Sequence, residues 1–342
     1  MLDKHANQPS RFPVVQTGLI FIAASLVLLI SMFLAVLHGA KELTVHTVLD
    51  AITAYDPKMT AHQIIHELRL PRVIGAAVIG AAFAVAGALM QGITRNPLAD
   101  SGILGINAGA TFVVALSFAF FPNLPYYSLI LLSFTGAVMS TLLIFALGSS
   151  TPGGLTPVRL TISGAVVAAL LSSLSSGIAI YFELSQDLAF WYAGGVAGIK
   201  WLHLRFLLPI LLLAIIWAAG LGRSVSLLSL GEDVAANLGM NTKRIQITGM
   251  AVAVILAGVS VSAVGAVGFI GLVIPHIARK LVGVDYRFII PLSALLGAIL
   301  LVLADLGART VNPPKELAIG VMVALVGVPF FLYLARKERR NL

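Results

Sequence analysis

Long apolar runs alternate with short polar stretches along nearly the whole chain. Repeated runs near 20 residues are each long enough to cross a hydrocarbon layer of about 30 Å as a helix. The pattern predicts ten spans, at 16–38, 70–93, 101–121, 126–148, 159–182, 204–222, 244–263, 266–281, 288–308 and 317–335, some of them short for a full crossing. Backbone groups in lipid must pair within their own segment, so these are helices. The expected fold class is an all-α polytopic membrane protein, with residues 1–342 as one transmembrane domain and little room for a soluble one.

Composition agrees with this picture. Of 342 residues, 59% are hydrophobic and 11% charged, against roughly a quarter charged in a soluble domain. The first run follows Lys4 and Arg11 but has no small-residue cleavage site after it, which marks a retained span. A net charge of +8 raises the question of nucleic acid, but the basic residues are scattered among loops and form no stripe. Cysteine is absent, which excludes thiol catalysis, thiolate metal sites and disulfides for this chain.

Ten spans put both ends on one side. With that side cytoplasmic, Lys4, Arg11, Arg95, Arg159, Arg223, Lys243, Arg244, Arg279, Lys280, Arg287, Arg336, Lys337, Arg339 and Arg340 fall inside, 14 of the 22 basic residues. The excess fits the bias of basic loops toward the cytoplasm. Arg69, Arg72 and Arg309 fall outside, against the rule, and become candidates for function. The outer segment 39–68 holds TVHTVLDAI and AHQIIHEL, readable as helices lying on the membrane face or as loop. Glycine and other small residues recur within spans, as in GAAVIGAAFAVAGA (75–88), where they let backbones approach closely.

Ionisable residues are scarce within the spans; Asp305 and Arg309 stand one turn apart at a helix end. An ion-coupled secondary carrier needs acids or polar breaks near the midplane, and a membrane enzyme needs clustered catalytic groups. Neither pattern is present, nor is a G-x-x-x-x-G-K-[ST] phosphate loop. If ATP drives this protein, another chain hydrolyses it. His62, His66 and His276 suit interfacial or capping positions better than metal ligation.

Residues 223–244, RSVSLLSLGEDVAANLGMNTKR, form the longest internal cytoplasmic segment in this topology. Glu232 and Asp233 favour a helix start and Gly239 a left-handed helix end. The result is a short helix and a turn before the next span, either a plain surface hairpin or a docking element for a soluble partner.

Several stretches together resemble the FecCD family. They are RLPR (69–72), the G-x-x-x-A-x-x-G-A-x-x-Q-x-x-x-x-NPLA run from Gly80 to Ala99, LGINAGA (104–110), LSLGEDVAANLG (228–239), GFIGLVIPHIAR (268–279), ADLGAR (304–309) and KELAIGVMVALVGVPFFLYL (315–334). The family comprises permease subunits of ATP-binding-cassette importers for iron–siderophore complexes, haem and vitamin B12. The resemblance implies a fold like that of the vitamin B12 importer permease, with about ten transmembrane helices and a short cytoplasmic coupling helix pair. It implies a multi-pass protein of the bacterial cytoplasmic membrane, with both termini inside.

The implied partners are a second permease subunit, identical or not, two ATPase subunits, an extracellular or periplasmic binding protein, and a ferric siderophore in transit. No cofactor is implied for this chain itself; ATP and Mg belong to the ATPase. By motif, Arg69, Arg72 and Arg309 match arginines that dock the binding protein, and arginine forks suit its carboxylates. They also suit anchoring at lipid headgroups. Gly231, Glu232, Asp233, Ala235, Leu238 and Gly239 match the coupling helices seated in the ATPase. Ser172, Ser176, Met322 and Leu325, on the fifth and tenth spans, are candidates to line the path. Many relatives have proline where Ala318 stands in ELAIG, so the start of the last span is expected to be less rigid here.

Overall fold

The structure, a computed structural model, describes residues 14–39, 43–150, 157–313 and 315–338. Lys4, Arg11, Arg339 and Arg340, used above for orientation, lie outside these residues. In chain order the α-helices are α1 (Val14–Leu37), α2 (Val45–Thr53), α3 (Thr60–Gln63), α4 (Leu70–Thr94), α5 (Ile106–Phe120), α6 (Tyr126–Ser149), α7 (Pro157–Tyr181) and α8 (Ser185–Ala193). They continue with α9 (Trp201–Gly220), α10 (Gly222–Ser229), α11 (Glu232–Asn237), α12 (Thr242–Val264), α13 (Ile270–Val282), α14 (Tyr286–Thr310) and α15 (Ile319–Glu338).

The bundle is built round α4. Every residue of it from Ile79 to Ile93 is buried, the sign of a helix enclosed on all sides. α9, α12, α13 and α14 pack around it. Small residues make this possible: Gly80 meets the backbone of Gly297 on α14, and Gly87 meets the backbone of Gly271 on α13. A methyl group at either contact would overlap main-chain atoms, which have no rotamer to move into.

α4 does not begin abruptly. A π-helical turn, Ile64–Arg69, joins it to α3, so that helix is continuous from Thr60 to Thr94. Pro71 explains the widened turn, because it has no N–H to give the preceding turn and its ring crowds the carbonyl four residues back. The Leu70 N–H bonds back to the Ile65 carbonyl, five residues away. The other end of α4 closes on Arg95 in the left-handed region, at φ 53°. The Asn96 side chain then accepts from the Leu98 N–H at 2.9 Å, and that of Asp100 from the Ser101 N–H at 2.7 Å.

Among the described residues, seven helices are long and apolar enough to cross a membrane: α1, the rod from Thr60 to Thr94, α6, α7, α9, α12 and α14. The expected count of about ten is therefore not reached by that measure, and the shortfalls have local causes. The span expected at 101–121 is a 3₁₀ turn, Ser101–Leu104, then α5, with Gly105 between them at φ 67°. The span expected at 266–281 is α13, only 13 residues and so roughly 20 Å long. Gly265 at φ 78° and Phe269 at φ 68° break the helix before it. The apolar part of α15, Ile319–Tyr333, is also short.

Arg72 and Arg95 mark the two ends of the bundle. α1 and α14 finish at the Arg72 end and α15 starts there, while α12 and α14 start at the Arg95 end. The prediction from this packing is that Gly87→Val lowers the thermal midpoint of the purified protein sharply or prevents its recovery. Gly177→Ala, where an added methyl meets nothing within 4 Å, should leave the midpoint within about a degree; equal behaviour of the two variants in a thermal size-exclusion assay would refute the packing argument.

Candidate functional site

Charged side chains that the sequence scatters over more than 240 positions meet at the Arg72 end. The π turn and the first turn of α4 carry Arg69 and Arg72, and the last two turns of α14 carry Asp305 and Arg309. Arg72 uses its whole guanidinium fork. Nε and Nη2 donate to Asp305 at 2.9 and 2.8 Å, while Nη1 and Nη2 donate to Glu316 at 2.9 Å each. Asp305, fully buried, also faces Arg309 Nη2 at 3.3 Å.

Arg69 and Arg309 turn inward to close the C-terminal end of α1. Arg69 Nη1 donates to the carbonyls of Val36 and Leu37 at 2.6 and 2.8 Å, and Arg309 Nη2 to that of Ala35 at 2.7 Å. These carbonyls lack helical partners, and cations beside them also oppose the helix dipole. Both arginines are buried, whereas Arg72 is slightly open and the Glu316 side chain is 44% exposed. The structure thus brings the three predicted arginines together but leaves only the Arg72–Glu316 edge accessible.

The sequence reading singled out the arginines and missed Glu316. The signal lay in KELAIG, where an acid stands just before the last span, but its partner is 244 positions away. The hydrogen bond from Arg72 holds the Glu316 carboxyl below the usual range, outweighing its partial burial. The bridge is therefore fully formed at neutral pH and is lost only as pH falls through that lowered value.

At the Arg95 end, the segment 223–244 folds as α10 and α11. α10 is held by the Ser226 hydroxyl, which receives the Tyr286 N–H at 2.7 Å and lies 3.0 Å from the Asp285 carboxylate. Gly231, at φ 136°, makes the turn between the two helices. α11 ends as expected: Gly239 is left-handed at φ 79°, its N–H bonds to the Ala236 carbonyl and that of Met240 to Ala235, the double closure of a Schellman motif. Glu232 does not reach outward; it accepts from Gln246 at 2.8 Å and faces Arg95 at 3.6 Å. Ala235 is buried against the chain, while Asp233 is exposed. Leu230, Val234 and Leu238, four residues apart, present an apolar stripe at 65, 44 and 61% exposure.

The path candidates fall on two separate parts of the bundle. α7 packs on α5 and α6 and leaves Ser172 and Ser176 exposed, one turn apart. α15 packs on α13 and α14; Met322 turns in toward Gly307, and Leu325 is open at 64%.

The charge network yields a stability prediction. Asp305→Ala leaves Arg72 with Glu316 alone and strips Arg309 of its buried counter-charge, and breaking a buried pair in this way costs about 3–5 kcal/mol. The thermal midpoint in detergent should fall by many degrees, while Glu316→Gln should change it little; a small shift for the aspartate variant would contradict the network.

Comparison with known proteins places the chain in a family. The FecCD transport family matches residues 27–337. The iron(3+)-hydroxamate import system permease protein FhuB of Bacillus subtilis (strain 168) is 49% identical over 324 residues, covering 95% of this chain and 84% of that protein. The iron-uptake system permease protein FeuB of the same organism is 43% identical over 322 residues, covering 94% and 96%. A metal-chelate type ABC transporter solved in an inward-facing conformation superposes with a TM-score of 0.83 at 28% identity, covering 94% of this chain and 99% of that one. With its apolar spans and its match over nearly all of its length, this chain belongs to the FecCD transport family and is a membrane permease.

Proposed function

We propose that this chain is the permease subunit of an ATP-driven importer of ferric siderophores. Its place is the bacterial cytoplasmic membrane, with the Arg72 end outside and both termini in the cytoplasm. The observation that carries the substrate class is the identity of 49% to an iron(3+)-hydroxamate permease, sustained over 95% of this chain. Iron itself need not touch the protein, since the chelator encloses it.

In this reading an extracellular binding protein brings the loaded chelate to the Arg72 end. Carboxylates on its rim meet the guanidinium of Arg72, with Arg69 and Arg309 adding positive charge from behind. At the opposite end, the Leu230–Val234–Leu238 stripe gives an ATPase groove an apolar helix face, which fits the helix-in-groove mode of recognition. The ATPase chains consume Mg-ATP, and closure of their dimer drives α10 and α11 toward the bundle; this chain contributes no catalytic group. A second permease subunit completes the path against the open faces of α7 and α15. Ser172, Ser176 and Leu325 offer small or apolar contacts there, which suit a bulky cargo that must leave as readily as it enters.

The test of substrate is uptake of radiolabelled iron by a deletion strain and its complemented counterpart, offered hydroxamate, catecholate and citrate chelates separately, with haem and labelled cobalamin in parallel. Loss of one or more iron-chelate activities, restored by complementation, is expected. Loss of haem or cobalamin uptake alone would overturn the siderophore assignment. The test of coupling is Leu238→Asp, which should abolish co-purification of the ATPase without lowering the permease's own thermal midpoint; retained ATPase would contradict the docking role of the stripe.

A further inference from the structure

The Arg72 fork binds two carboxylates that differ in one decisive respect. Asp305 is wholly buried and held from both sides by Arg72 and Arg309, so it cannot leave without stranding two cations. Glu316 is 44% exposed and stands between α14 and α15, where the described residues, 311–313 and 315–318, belong to no helix and 315–318 lead directly into α15. Among the described residues, 315–318 are tied to the bundle by the Arg72–Glu316 bridge and by the Leu317 N–H bonded to the Ala308 carbonyl at 2.8 Å.

We propose that Glu316 is an internal stand-in for the binding protein's carboxylate: docking exchanges one for the other on Arg72 and thereby unpins the stretch that leads into α15. The inference rests on the docking reading above and adds a mechanism to it. A carboxylate arriving from outside meets the outer edge of the fork, where Glu316 sits, and replaces it with the same two hydrogen bonds. Such an exchange is nearly balanced in energy because the departing Glu316 is already partly hydrated and regains water. Exchange at Asp305 would be prohibitive. The arriving group is thus read by one side of one guanidinium, and its arrival is reported to α15 through the residues next to Glu316.

α15 is the element that receives the signal. Its first turn rests on the Ala318 carbonyl, which accepts from Val321 and Met322 at 3.1 and 3.4 Å, and Met322 lies against Gly307, between Asp305 and Arg309 along α14. Freeing Glu316 leaves the Leu317 backbone bond and the Met322–Gly307 contact to hold the start of α15, so it can shift against α14. Alanine at position 318, in place of a ring that would fix the backbone, permits that shift.

The experiment uses the permease with its ATPase in nanodiscs and, as probe, its extracellular binding protein loaded with a ferric hydroxamate. The chain has no cysteine, so Lys315→Cys takes a spin label at that position alone. In the otherwise unaltered complex the label is expected to become more mobile on docking; an unchanged spectrum would overturn the exchange. Glu316→Gln removes the competing charge and should tighten docking by about tenfold, with the label mobile before the binding protein is added. Unchanged or weaker docking would overturn the proposal. Arg72→Lys keeps the charge facing Asp305 but cannot fork to a second carboxylate, and it should weaken docking. If docking is unaffected by Arg72→Lys, the docking reading itself falls; if it weakens while Glu316→Gln has no effect, only the exchange falls.

Discussion

The whole architecture depends on how closely backbones can approach α4. Lipid gives apolar helices no reason to leave it for one another, so their association rests on contact and on shape. Gly80 against Gly297 and Gly87 against Gly271 bring α14 and α13 to main-chain contact with α4, and from that the remaining geometry follows. α14 lies along α4 for its full length, so its last turns arrive beside the first turn of α4. Asp305 is placed under Arg72 by that register and by nothing local to either segment. Gln91 on α4 ties down the short α13, donating to the carbonyls of Gly271 and Leu272 at 3.2 Å, the first of which gets no helical N–H because Pro275 stands four residues on.

Charge in this setting is costly and is placed with corresponding care. Arg69 and Arg309 are spent on the unpaired carbonyls that end α1, which is what fixes that helix to the bundle. Arg72 is set apart from them by its fork, one side committed to a buried acid and the other to an accessible one. The opposite end has a different character: a compact pair of helices, anchored through Ser226 and closed by Gly239, that leaves the apolar side chains of Leu230, Val234 and Leu238 open beside exposed charges. α4 and α14 connect these two unlike surfaces directly.

Much of this was legible in the sequence because it is local. Span positions follow from run length, the end of α11 from Gly239, and the turn after α4 from Asn-Pro at 96–97. The motif resemblance brought the three arginines into view together, which spacing along the chain does not. Two things were hidden. A glycine within an apolar run does not announce whether it permits close packing or ends a helix, so Gly105 read as span interior when it is a break. Glu316 looked like an ordinary loop acid because its partner lies on another helix, and only the register of α4 against α14 brings them together. The arginines read as outward-facing docking groups, yet Arg69 and Arg309 are turned inward by carbonyls whose position depends on where α1 ends.

The central claim is that the Arg72 end faces outside and the α10–α11 end faces the ATPase in the cytoplasm. It is tested most directly by single cysteines in this cysteine-free chain, at Lys315 and at Asp233, both exposed, treated with a membrane-impermeant maleimide. Intact protoplasts should label Lys315→Cys, and Asp233→Cys should label only after the membrane is opened. The reverse pattern would place the arginine junction in the cytoplasm and contradict the account.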